Sequence, residues 1–171
     1  MAITWLLVAN RTRARILEIE SERDRPIERA AFVNPAGRAH ERDLDSDAAG
    51  RFYGKGEREQ AHSATASESL GEHEIDRFVI DLRDYLDHAR SERRFERLWL
   101  IAAPAFLGHL RNAFPKPLRQ RVDLEVDKDL TTEKPEEILR RVVETRKART
   151  EARSEATAAS AAAPHGSRKA R

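Results

Sequence analysis

The heptapeptide RLWLIAA, residues 97–103, sets the architecture. Behind Arg97 it is an unbroken apolar run halted by Pro104, and a strand without polar alternation has to be covered on both faces. It therefore predicts a strand at the centre of a sheet with helices above and below. Upstream, Ile75, Phe78, Val79, Leu82, Tyr85, Leu86 and Ala89 recur every three to four residues, the pattern of an amphipathic helix. Ser69 and Glu72 have the S-x-x-E spacing of a capping box at its start. Downstream, Phe106, Leu107, Leu110 and Phe114 suit a short helix. Val122, Leu124 and Val126 then alternate with Asp123, Glu125 and Asp127, as in an edge strand with one solvated face. Pro135 fits the first turn of a last helix that carries Ile138, Leu139, Val142 and Val143.

The amino-terminal third supplies three further strands. Ile3–Ala9 and Ala14–Ile19 read as a hairpin about Asn10 to Thr12. After the charged break Glu22 to Pro26, Ile27–Val33 forms a third strand that stops at Asn34-Pro35, where proline removes a ladder donor. The order β-β-β-α-β-α-β-α gives an α/β fold with a ribonuclease-H-like mixed sheet of about five strands, an antiparallel meander joined to parallel crossovers. The domain is expected over residues 1–145. Beyond it, residues 146–171 turn alanine-rich and end on Arg168, Lys169 and Arg171; without an apolar stripe this tail is expected to fray.

Composition excludes several function classes. Thirty-two Lys and Arg against 30 Asp and Glu leave a formal net charge of +2, so a uniformly basic nucleic-acid binder is excluded and only local patches remain. The absence of cysteine removes disulfides, thiolate nucleophiles and Cys-based zinc sites. The first ten residues have no basic leader and too short an apolar run to span a bilayer, so a cytoplasmic protein without membrane association is expected.

Between core-like stretches lies a polar segment, residues 34–68, NPAGRAHERDLDSDAAGRFYGKGEREQAHSATASE. Loops of such length inside compact domains are functional or disordered, so binding residues are sought here first. Arg38, Arg42, Arg51, Lys55 and Arg58 are available to phosphates, and Phe52 and Tyr53 to stack on bases. On the plainer reading these are solvated charges around two anchoring aromatics. Asp43 and Asp47 read as caps of loop amides or partners of Arg51 and Arg38, and Gly50 marks a backbone position that tolerates no side chain. A second candidate, Arg111, follows the carboxyl end of the apolar strand, where α/β sheets bind ligands; it either contacts a ligand or pairs with a carboxylate such as Asp43 or Asp47.

Catalytic patterns are missing. Asp43, Asp45 and Asp47 have the alternation of a calcium loop, but Gly54 stands where its twelfth-position carboxylate belongs. Ile3–Ala9 and Leu98–Ala103 carry no carboxylate for a two-metal nuclease. His73-Glu74 has no second histidine in H-E-x-x-H spacing, and no serine sits in G-x-S-x-G. No cofactor motif is present and none is expected.

Five pieces together carry a resemblance: VANRTRARILE at 8–18, NPAGR at 34–38, DLDSDAAGR at 43–51, AAPAFLGHLR at 102–111 and KDLT at 128–131. Over about residues 1–143 the chain resembles the bacterial family named for a protein required for attachment to host cells. That family is itself similar to the middle domain of eukaryotic and archaeal peptide-release factors. The resemblance implies the same fold and an RNA-facing loop after the third strand. Release factors carry Gly-Gly-Gln there; this chain has Gly54-Lys55-Gly56-Glu57 and a lone Gln60, so their peptidyl-tRNA hydrolysis is not implied. The expectation is a non-enzymatic binding domain whose partner is the ribosome or structured RNA. The alternatives are a hydrolase acting on an ester or RNA linkage, and a scaffold recruiting a protein through Val122–Val126 or the tail.

Overall fold

The computed structural model describes residues 2–37 and 60–161. Five strands, β1 (Thr4–Ala9), β2 (Arg13–Ile19), β3 (Ile27–Val33), β4 (Arg97–Ala102) and β5 (Val122–Val126), form one sheet in the order β3-β2-β1-β4-β5. The helices are α1 (Gln60–Ser91), α2 (Pro104–Ala113), the short α3 (Lys116–Arg119) and α4 (Pro135–Ala161). β1, β2 and β3 pair antiparallel, while β4 runs parallel to β1 and β5 parallel to β4. This is the expected mixed sheet, with one change of place: β4 is interior, but β1 holds the middle. Beyond Thr4 and Arg97 both strands are apolar, so burial alone does not rank them.

Alternation along β1 explains why it has no polar face. Trp5 and Leu7 pack with Ile16, Leu98 and Leu100 beneath α1 and α2, through Phe78, Leu82, Leu86, Phe106 and Leu110. Leu6 and Val8 face the other way, joining Trp99, Ile101, Leu124 and Val126 beneath Ile138, Leu139 and Val142 of α4. Burying each of those three α4 side chains contributes about 1.5–3 kcal/mol, enough to dock the helix by its first two turns.

Both edge strands are bulged. Ile16 pairs with Ala30 and Leu17 with Glu28, leaving Arg29 as the extra residue on β3. On β5, Leu98 pairs with Val122 and Trp99 with Leu124, leaving Asp123 over. The second bulge corrects a simple alternation: Val122 packs into the α1–α2 core while Leu124 and Val126 enter the α4 core.

Three boundaries differ from those expected. α1 begins at Gln60, so Ser69 and Glu72 lie inside it and do not cap it, and residues 60–68 are helix. α3 is an unforeseen turn of helix after Phe114. α4 crosses residue 145 unbroken to Ala161. What holds its extension is charge instead of an apolar stripe: Arg146 lies over the Trp99 ring, 5.4 Å from its centroid, and pairs with Glu22, while Arg149 donates to the Glu125 carbonyl.

Trp5 anchors the opposite core. Its ring stacks on Phe95 at 5.0 Å, and its Nε1 donates to Glu18 Oε2 at 2.8 Å. Glu18 also accepts from Arg29, and that bond holds its carboxyl below the ordinary range despite partial burial. Among the described residues, no helix is long and apolar enough to cross a membrane.

Candidate functional site

Parallel strands β1 and β4 end side by side, Ala9 beside Ala102, and the chain segments beyond them meet at this carboxyl edge. Asn10 organises it. Its Oδ1 accepts from the Thr12 amide at 2.9 Å, the Thr12 hydroxyl at 2.8 Å and the Arg13 amide at 3.0 Å, which closes the β1–β2 turn. Its Nδ2 donates to Asp129 Oδ2 at 2.8 Å and Thr131 Oγ1 at 3.0 Å. Thr131 in turn donates its amide and hydroxyl to Asp129 Oδ1, at 3.0 and 2.7 Å. The result is a clasp between the first turn and the β5–α4 connection.

Asp129 is held ionised within that clasp. Partial desolvation raises its carboxyl pKa, but the hydrogen bonds from Asn10 and Thr131 and the charge of Arg13 outweigh it and hold the value below the ordinary range.

The segment after β3 is fastened to the same turn. The amide of buried Asn34 donates to Thr12 O at 2.8 Å, and its Nδ2 to Arg11 O at 2.9 Å. Gly37 lies so close that a Cβ there would stand 2.3 Å from Arg11 O. Only a residue without a side chain fits.

Opposite this wall, Pro104 opens α2 with no side chain capping its first turn, and His109 Nδ1 lies 3.0 Å from Asp76 Oδ1, tying α2 to α1. A cleft of about 160 Å³ lies between, lined by Arg11, Ile75, Ala103, Phe106, His109 and Asp129 among others. The Arg11 guanidinium has no hydrogen-bond or ion-pair partner among the described residues. Chemically, the cleft offers a guanidinium to an oxyanion, a fixed carboxylate to a hydroxyl or amine, and an apolar wall to a sugar or base edge. Among the described residues, no group of three or more His, Asp or Glu side chains is gathered to hold a metal ion.

Of the residues singled out from sequence, Arg38, Arg42, Asp43, Asp47, Gly50, Arg51, Phe52, Tyr53, Lys55 and Arg58 lie outside the described residues. Arg111 is described, and its partner is Glu125, which accepts from Nε at 2.8 Å and also from Nη2. It borders a separate cavity of about 250 Å³ against β5, with Phe114, Arg119 and Val122. Two residues earlier on α2, His109 takes the place at the carboxyl edge. Sequence reading missed Asn10, Arg11, His109 and Asp129 as a group, although the pieces VANRT, AAPAFLGHLR and KDLT contain them. The turn-forming Asn-x-Thr at 10–12 was the available signal.

These features define a three-layer α/β domain with a polar cleft at the carboxyl edge of its parallel strands. Within that class the chain belongs to the family described as protein required for attachment to host cells, whose model matches residues 5–142. No curated protein matches the chain.

Proposed function

We propose that this chain is a binding domain that engages structured RNA, including RNA of the ribosome, at its carboxyl edge, without bond-making chemistry of its own. One observation carries the reading: Asn10–Arg11, Ile75, Ala103–His109 and Asp129, distant in sequence, line one cleft whose guanidinium has no partner among the described residues, with Asn34–Gly37 fastened to the same turn. The resemblance of the family to release-factor middle domains, read from sequence, favours an RNA partner, and the sequence from Arg38 to Arg58 carries further cations and two aromatics. The family description speaks of attachment to host cells, an outcome that an RNA-binding regulator reaches indirectly. The scaffold reading draws less support, because the bulge at Asp123 and the Arg149 bond to Glu125 O blunt the β5 edge.

Titrating the isotopically labelled full chain with an RNA hairpin tests this by amide NMR. Shifts concentrated at Asn10–Arg13, Gly37, Ala103–His109 and Asp129–Thr131 are expected. Absence of shifts at all four segments would contradict it.

A further inference from the structure

The opposite edge of the sheet, where the parallel strands begin, carries an arginine patch. Arg93, Arg94 and Arg97 come from the α1–β4 connection, and Lys116, Arg119 and Arg121 from α3 and the turn after it; all are exposed. The two stretches are stitched together, since the Leu98 amide donates to Arg121 O at 2.7 Å and Leu98 pairs with Val122. Arg97, the first residue of β4, therefore lies beside Arg121, the residue just before β5, about 5 Å apart in backbone.

Three observations separate this patch from ordinary surface charge. The arginines of α4 are consumed locally: Arg140 pairs with Glu137 and Glu144, Arg141 with Glu137, and Arg146 with Glu22. By contrast, the side chains of Arg93, Arg97, Lys116, Arg119 and Arg121 make no hydrogen bond or ion pair among the described residues. Of the nearby carboxylates, Glu92 is engaged by His88 at 3.2 Å and Glu22 by Arg146, while Glu96, Glu20 near Arg97 and Asp123 near Arg119 stand beside the patch.

Second, Arg93 sits at φ 58, closing α1 with its amide on Arg90 O and that of Arg94 on Ala89 O. That left-handed closing position belongs by preference to glycine, so a long cation is held there against backbone preference. Third, Arg94 is fixed face-on over Trp5, 5.1 Å from the ring centroid. Helix dipoles favour cations at the ends of α1 and α3, but Arg97 lies beyond both, on β4.

We infer that this amino edge is a second RNA-contacting face, which takes the phosphodiester backbone through its guanidinium forks without reading sequence. The inference rests on the reading of the chain as an RNA binder and places a further contact on the far side of the sheet. Phosphate oxygens match the planar guanidinium bidentately, and the patch is nearly all arginine. An anionic membrane fits less well, because among the described residues the exposed large apolar side chains, Ile27, Val33 and Ile80, all lie outside both stretches.

The test is fluorescence anisotropy of a short labelled single-stranded RNA against the full chain over a series of salt concentrations. Three variants are compared: Arg93→Gly, the combined Arg97→Gln/Arg119→Gln/Arg121→Gln, and Arg11→Ala. Arg93→Gly removes the cation at a position glycine prefers, so binding is expected to weaken several-fold while the melting temperature holds or rises. The triple variant is expected to lower the slope of log affinity against log salt by about 2, at about 0.7 per lost phosphate contact. Salt-dependent binding that both edge variants leave unchanged overturns the inference, and its loss in Arg11→Ala alone would assign all of it to the carboxyl edge. Binding to phosphatidylserine vesicles in place of RNA overturns both readings.

Discussion

Asn10 does the work of several residues, because one side-chain amide closes the β1–β2 turn with its oxygen and reaches Asp129 and Thr131 with its nitrogen. Asn10→Ala leaves those partners without their bonds, and a loss of about 1–3 kcal/mol is expected in urea unfolding. Gly37→Ala forces a methyl into the Arg11 carbonyl; a shift of backbone costing about 1–3 kcal/mol is expected, checked by the same method. Glu18 gives a pH signature. Its folded pKa is depressed, chiefly by the Arg29 hydrogen bond, so its stabilisation is present above the unfolded value of about 4.3 and is lost as pH falls through the folded value. Unfolding midpoints should drop on acidification across that window, and Glu18→Gln should flatten the drop.

The strands and helices were legible where apolar period is strong. Leu98–Ala103, the α1 stripe from Ile75 to Ala89 and the alternation of Val122 to Val126 each named their element. Residues 60–68 have no apolar stripe, so the first turns of α1 read as loop and the Ser69–Glu72 spacing passed for a cap. The bulges at Arg29 and Asp123 leave no mark in a hydrophobic pattern, and the face taken by Val122 was invisible without them. α4 was cut short for a different reason: its extension docks through guanidinium groups on Trp99, Glu22 and Glu125. Truncation after Thr145 should therefore destabilise the domain. A cation–π contact and exposed ion pairs together are worth about 1–2 kcal/mol, a fall of about 2–6 °C in Tm by thermal melting. An unchanged Tm would mean the extension is not docked.

Taken as one body, the sheet separates two charged ends. Arg11, His109 and the Asn10–Asp129 clasp gather at the carboxyl edge, and the arginine patch gathers at the amino edge, although the formal net charge is only +2. Sequence reading looked to the carboxyl end of the parallel strands but chose Arg111, which pairs with Glu125. Helical spacing turns His109 and Arg111 to different sides, and partners distant in sequence, such as Asn10 and Asp129, come together only through the strand order. Co-sedimentation of the purified full chain with ribosomes at low and high salt, beside Arg11→Ala and a deletion of residues 52–58, tests the RNA-binding claim most directly. Salt-sensitive co-sedimentation, weakened by both changes, is the predicted result. Failure of the full chain to sediment with ribosomes at low salt would contradict it.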